Sequence, residues 1–466
     1  MKKNKTLLLL FFVSVISFLT KAQNETYVLT KENLLSIVRA YHPILKQANL
    51  IVNRANAELL QSRGVFDPKI TYNIEKKSFN GKEYYNYFNP QLSIPIWYGL
   101  NIKSGFEQLN GQFTDPSMSL GQSSYIGVQA NTNQLIFDKR RAVLKQAQCM
   151  SKLSEAERSL QINELIYESL NAYWNWAKEY QTYQIIRQCV VLNEDRLKYI
   201  RTEYEQGNRP AIDTTEALAQ LQNLYILYNN AELMFKKAGF ELSNYLWSED
   251  GSPMIWNDKI IPPSIDNVDM NNLQNLDNYI STAKESHPKL KSLNIKVDIL
   301  DIDRRLKFQN LLPDIGIQAN VLNKGFALPN DISNNFYSQN NKLALSLNLP
   351  IFLRNSRGAY QSAKHKLQQS KLDQDYQALE IENKIKSYFN EVSYIAQQVN
   401  LYESIYENHR KLFQGEITRF QIGESTLFVL NTRENKMLET AQKLQELKAK
   451  WHKSLAGLYW STGILH

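Results

Sequence analysis

The residues whose chemistry would be most telling are six histidines, His42, His287, His365, His409, His452 and His466, and two cysteines, Cys149 and Cys189. Metal ligation or nucleophilic catalysis needs such groups to converge at fixed spacings, and these are dispersed along the chain. There is no His-Glu-x-x-His run and no Gly-x-Ser-x-Gly elbow, and Gly81-Lys82 lacks the upstream glycine of a phosphate loop. Asp301 and Asp303 are two residues apart and would lie on different faces of a helix. The cysteines fall on one predicted helix 40 residues apart, about 60 Å at standard rise, so they form no disulfide. The pattern excludes metal, nucleophilic and cofactor chemistry: the chain reads as no enzyme, with no cofactor. What remains is polar side chains at turns. Asp213 and Glu216 follow Gly207, and Phe428 and Asn431 follow Gly423. An aspartate at a helix start is ordinarily a cap, and Asp213 by itself is read that way.

The elements that would position these turns occur twice. His42-Pro43 opens a helix-like stretch, and Pro68 follows 25 residues after Pro43; His287-Pro288 and Pro313 repeat the spacing, each proline offset by 245 residues. His42 and His287 are therefore helix-opening residues, since each precedes a proline that suits a first helical position. The stretch Gln134 to Phe137 resembles Asn348 to Phe352, and a glycine follows 70 or 71 residues later in each copy, Gly207 and Gly423. Such duplication sets the architecture.

Within each copy, apolar and polar residues first alternate with strand period: Ile70, Tyr72 and Ile74; Leu92, Ile94 and Ile96; Ile126, Val128 and Ala130; Ile315, Ile317, Ala319 and Val321; and, most regularly, Leu343, Leu345, Leu347, Leu349 and Ile351. The opposite face carries Gln, Asn, Ser and Gly. Segments of about ten residues with this pattern suit a barrel wall, lipid outside and water inside, and equally a soluble sandwich. Aromatic clusters favour the barrel: Tyr84, Tyr85, Tyr87, Phe88 and Trp97, with Phe336 and Tyr337, are expected at strand ends in a membrane-interface belt. The stretch Ile102 to Phe113 adds either a strand pair or a folded loop, leaving four or six strands.

Each copy then continues into a very long helix. Residues 139–206 contain no Gly or Pro, and residues 357–422 contain only Gly358 and Gly415. Leu153, Ala156, Leu160, Tyr167, Leu170, Trp174 and Ala177, and Ile381, Ile385, Tyr388, Val392, Ile395, Val399 and Tyr402, step at heptad-like spacing, which predicts coiled-coil packing on antiparallel partners. Gly207 and Gly423 end the helices in left-handed turns, and a second helix returns.

At the start, Lys2, Lys3 and Lys5 precede an apolar run from Leu7 to Leu19 and the small residues Thr20 and Ala22, the form of a cleaved secretory leader. No later stretch is apolar for 18 residues, so no transmembrane helix is expected. The formal charge is +8, four of it from leader lysines. That excess is mild and spread out, which argues against nucleic acid as a partner.

The duplicated order of these residues resembles the TolC family of outer-membrane efflux and secretion channels. The resemblance is carried by His42-Pro43, His287-Pro288, Pro68, Pro313, Leu349 to Phe352 and the tips around Gly207 and Gly423, over nearly all of the mature chain. It implies a mainly α protein with a membrane β-barrel portion: an internally duplicated, long α-helical coiled-coil barrel plus a shared transmembrane β-barrel, trimeric. The implied domains are 1–22, leader; 23–247, first repeat, with strands in 69–137 and a helical hairpin in 138–247; 248–272, linker; and 273–466, second repeat, with strands in 314–352 and a hairpin in 355–461.

The implied function is the outer-membrane exit duct of a tripartite efflux pump or type I secretion system, a passive conduit with its helices in the periplasm. The implied partners are two further copies in a homotrimer, a periplasmic adaptor, an inner-membrane transporter and outer-membrane lipid. Leu343, Leu345, Leu347 and Leu349 would face lipid. The helix-turn tips, Gly207, Asn208 and Arg209 with Gly423, Glu424 and Ser425, would meet the adaptor. Asp213 matches a family aspartate, and with Glu216, Phe428 and Asn431 would form the periplasmic gate. Phe428 and Asn431 stand where family members often carry aspartates, so a second acidic ring is not expected. A periplasmic coiled-coil adaptor and a poreless exported scaffold are the alternatives; the two full copies argue against the first and the alternating strands against the second.

Overall fold

The computed structural model describes residues 26–115, 118–131, 137–265, 268, 273–326, 338–349 and 351–465. The leader, Phe336 and Tyr337, part of the linker and the segment 132–136 lie outside them. The chain forms two compact units that cut across the repeat, each drawing on both copies: one from 1–48, 159–287 and 379–466, the other from 49–158 and 288–378.

In the first copy, β1 (Tyr27–Val28) leads into α1 (Lys31–Tyr41) and α2 (Pro43–Arg63). Four strands follow, β2 (Lys69–Phe79), β3 (Lys82–Pro95), β4 (Leu100–Gly111) and β5 (Gly121–Asn131), then the hairpin α3 (Lys139–Glu205) and α4 (Ala211–Ser243). After β6 (Ile260–Ile261), the second copy comprises α5 (Leu276–Ser286), α6 (Pro288–Gln309), β7 (Asp314–Lys324), β8 (Asn341–Asn348), α7 (Arg354–Gln421) and α8 (Leu427–Thr462). Pro43 and Pro288 are the first residues of α2 and α6, and Pro68 and Pro313 immediately precede β2 and β7, as the spacing predicts. The histidines before those prolines close α1 and α5, each backbone N–H returning to the helix, His42 to Val38 and His287 to Ala283.

The strand-bearing unit holds one antiparallel sheet in the order β2-β3-β4-β5-β7-β8. Ile102 to Phe113 resolves as β4 and its outgoing turn, so among the described residues the sheet has six strands, the higher of the two counts. The turn between β3 and β4 is held from the start of α3. Buried Asp138 caps that helix by accepting from the Arg140 N–H at 2.9 Å, and its other oxygen accepts from the Gly99 N–H at 3.3 Å. Arg140 pairs with Asp138 and donates to Asn101 Oδ1 at 2.8 Å and to the Ile96 carbonyl at 3.3 Å.

The other unit is helical, with its core where α3, α4 and α8 meet α1. Trp176, Tyr173, Leu34 and Leu242 are almost completely buried there. Each aliphatic side chain so buried contributes roughly 1.5–3 kcal/mol. The parallel β1–β6 pair joins the chain start to the segment after α4, and Tyr173 donates to the Leu29 carbonyl at 3.1 Å beside it. The heptad-spaced residues of the second long helix face inward as expected: Ile381, Ile385, Val392, Ile395 and Val399 are all buried.

Candidate functional site: a barrel wall and two helical tips

Strand pairing aligns the apolar rows into one face. Ile70 lies opposite Leu92, Ile94 opposite Ile102, Ile102 opposite Val128, Val128 opposite Ala319, and Ala319 opposite Leu343. The row ends on Leu343, Leu345 and Leu347, which are 67–76% exposed. Leu349 is also exposed, one residue past the end of β8. An exposed apolar face six strands wide is far from the scattered apolar residues of a water-facing surface.

The opposite face is polar and tightly filled in its central strands. Tyr87, Asn89 and Tyr125 are buried in a linked set: Asn89 Nδ2 donates to Tyr87 Oη at 2.5 Å, and Tyr125 Oη donates to Asn89 Oδ1 at 3.4 Å. Tyr87 therefore belongs to the polar face and not to an interface belt, and Phe88, opposite Ile74, sits within the apolar wall; strand parity decides both. Interface-type aromatics cluster at the two ends instead. Phe66 stacks on Trp97 at 5.2 Å at one end, while Phe79, Tyr84 and Phe113 pack together at the other. Glycine makes room on the polar face, since a Cβ on Gly127 would run into the Asn320 side chain and the Ala319 carbonyl.

Both edge strands are exposed along their whole length, β2 over eleven residues and β8 over eight. Among the described residues no further strand pairs with either on its outer side, so both are edge strands of the sheet.

In the helical unit the two tips are built alike. Gly207 and Gly423 take left-handed φ values of 79° and 80°. The following N–H reaches back five residues, Asn208 to Glu203 and Glu424 to Arg419, both at 2.9 Å, closing Schellman turns. Thr426 caps α8 by accepting from the Val429 N–H. Asp213 is no cap: Pro210 holds that position, and Asp213 sits in the first turn of α4, paired with Arg209 at 3.2 Å. Arg209 also spans to the second hairpin, its guanidinium 4.0 Å from the Phe420 ring centroid and donating to the Phe420 carbonyl. Ser425 Oγ donates to Glu416 Oε1.

Sequence reasoning missed the strongest link near the tips. Glu434 of α8 is fully buried and ion-paired with Arg196 of α3 at 2.7 Å. Asn193 donates to Glu434 at 3.0 Å, and Arg196 donates to the Asn193 and Asn431 side-chain carbonyls. Asn431 in turn donates to Glu216 at 3.2 Å. The structure thus joins Glu216 and Asn431 across the two hairpins. Asn431, expected at the gate, is only 7% exposed and bonded within the chain to Glu216 and Arg196. Phe428 is 69% exposed. A signal was present: Leu427, Leu430, Glu434, Leu438 and Ala441 follow helical spacing, with one acid on an otherwise apolar stripe. No group of His, Cys, Asp and Glu among the described residues is arranged to hold a metal. Burial pushes the Cys189 thiol up to about 12, with nearby Glu434 adding to the shift, so it is an inert packing residue.

The family model for outer membrane efflux proteins matches residues 34–246 and 279–464, nearly all of both copies. The chain belongs to that family. It is an outer-membrane efflux channel protein, and such channels are passive conduits, not enzymes. No helix among the described residues is long and apolar enough to cross a membrane. None of the curated proteins compared by sequence matches this channel. Among solved structures, the CmeC outer membrane channel of Campylobacter jejuni is 13% identical with a TM-score of 0.65, over 93% of this chain and 85% of that one. VceC of Vibrio cholerae is 13% identical at 0.65, over 93% and 96%. The open-state MtrE channel of Neisseria gonorrhoeae is 13% identical at 0.65, over 93% and 88%. At that identity the likeness speaks for the fold alone.

Proposed function

We propose that three copies of this chain close one barrel in the outer membrane, and that the barrel is the exit duct of a tripartite efflux pump or type I secretion system. The carrying observation is the six-stranded sheet with one exposed apolar face and, among the described residues, no strand beyond β2 or β8. Open edges are not tolerated in lipid, so β8 of one copy pairs with β2 of the next, giving eighteen strands in all. The helical hairpins extend into the periplasm. The tips at Gly207, Asn208, Arg209, Gly423, Glu424 and Ser425 receive a periplasmic adaptor, which links the duct to an inner-membrane transporter that supplies the energy.

The gate lies at the tips. Asp213 holds Arg209 in its bridge to Phe420, and Glu216 holds Asn431, so the acids lock one hairpin against the other. Phe428, which is exposed, narrows the passage. Single-channel conductance in planar bilayers tests this reading. Asp213→Ala and Phe428→Ala are each expected to raise conductance or open probability. Unchanged values in both, with assembly intact, would place the constriction elsewhere.

A further inference from the structure

We propose that the helix-side rim of the sheet is a binding surface for anionic phospholipid headgroups, centred on Arg141 and Lys145 with Trp97 and Tyr98, and repeated at Arg354 and Arg357. This rests on the barrel reading above and adds to it a headgroup preference at one edge of the wall.

Strand register fixes the rim. The starts of β4 and β7 and the ends of β3, β5 and β8 all fall at the end of the sheet from which α3 and α7 depart. Both helices begin with basic residues and no acid, Lys139, Arg140 and Arg141 in one and Arg354 and Arg357 in the other. Cations at a helix N-terminus oppose the macrodipole, an arrangement that an external anion relieves. Arg140 is consumed by Asp138, but Arg141 is exposed and has no carboxylate within ion-pairing distance among the described residues.

Three independent features point to a phospholipid. The Arg141 guanidinium lies 5.6 Å from the Trp97 ring centroid and 4.9 Å from that of Tyr98, so the cation is displayed on aromatic faces. Those rings are more than half exposed, and Tyr98 is held at a left-handed φ of 65°, a conformation that a bulky residue adopts only at a cost. Trp and Tyr prefer the headgroup level of a bilayer. Finally, a cleft of about 320 Å³ is lined by the apolar Trp97, Phe137 and Leu144 and by the cationic Arg141 and Lys145; Asp138, which also lines it, is already paired with Arg140. A phosphate ester with an acyl chain suits that mixture of apolar and cationic lining. On α7 the pattern recurs, with Arg354 lying 5.1 Å from the exposed Phe352 ring.

The test is native mass spectrometry of the full-length protein released from detergent, after exposure to phosphatidylglycerol, phosphatidylcholine or inorganic phosphate. Retention of phosphatidylglycerol over phosphatidylcholine is expected. The preference should fall about tenfold in Arg141→Ala/Lys145→Ala and more weakly in Arg354→Ala/Arg357→Ala. Equal retention of the two lipids, a preference unchanged in both double variants, or equal competition by inorganic phosphate would overturn the proposal. Carbonate-resistant insertion into neutral phosphatidylcholine vesicles is scored in parallel. A chain that inserts without preferring phosphatidylglycerol loses only the headgroup site, whereas one that fails to insert overturns the barrel reading and the site with it.

Discussion

Arg196 and Glu434 meet at 2.7 Å between α3 and α8, with the Glu434 side chain wholly buried and that of Arg196 11% exposed. Two charges withdrawn from water in this way are tolerated only because each is paired and further hydrogen-bonded, here through Asn193 and Asn431. Removing one partner strands the other. Arg196→Ala is therefore expected to destabilise the helical unit by about 3–5 kcal/mol. Replacing both by apolar residues of similar volume should cost much less. Denaturant unfolding followed by circular dichroism separates these outcomes; equal losses in the single and double variants would show that the pair is not a unit.

Gly457 sets two opposing effects against each other. In a helix interior, Gly→Ala ordinarily gains about 1 kcal/mol of propensity. Here a Cβ would strike the Tyr388 ring, which is fixed by a 3.1 Å hydroxyl contact with Tyr167 and by edge packing on Trp460. Overpacking costs about 1–3 kcal/mol, so Gly457→Ala should come out destabilising by roughly 1 kcal/mol. A raised melting temperature would show that Tyr388 gives way freely.

Along β8, Leu345 belongs to the apolar row and Ser346 to the other face. Leu345→Arg is expected to cost about 2–4 kcal/mol if the residue lies near the bilayer midplane, and Ser346→Arg far less. Single-cysteine variants give a direct readout: a lipid-soluble thiol reagent should label positions 343, 345 and 347 in preference to 344, 346 and 348. Uniform labelling would contradict a one-sided lipid face.

Much of this arrangement could be read in the sequence, for local reasons. The four prolines mark element starts because proline suits a first helical turn and blocks helix continuation, and Gly207 and Gly423 mark tips because their backbone is left-handed. β4 was ambiguous because Ser104 and Gln108 interrupt its apolar row, so only pairing with β3 and β5 reveals a strand. The tip network was hidden for a different reason. Arg196 and Glu434 are 238 residues apart in sequence, and only tertiary packing turns an acid on an apolar stripe into a buried partner. The same holds for Asn431, which looks like a free tip residue until Glu216 and Arg196 come within bonding distance.

His42 gives the helical unit a pH dependence. Burial pushes its pKa below the usual histidine value, outweighing the opposing contact with the Asn244 carbonyl. Protons then bind the unfolded chain more readily than the folded one. The stabilisation from neutral His42 is full above about pH 6.5 and is lost as the pH falls below that value. The thermal midpoint should drop between pH 7 and pH 5, and His42→Gln should flatten that part of the profile. An identical slope in the variant would assign the dependence to other groups.

The most direct measurement is the mass of the detergent-solubilised particle, by light scattering corrected for bound detergent. The six strands of the described residues form an open sheet ending on β2 and β8, which does not close a barrel within one chain. Three copies per particle are expected, extracted from the outer membrane only with detergent. A stable one-chain particle, or protein released without detergent, would contradict it.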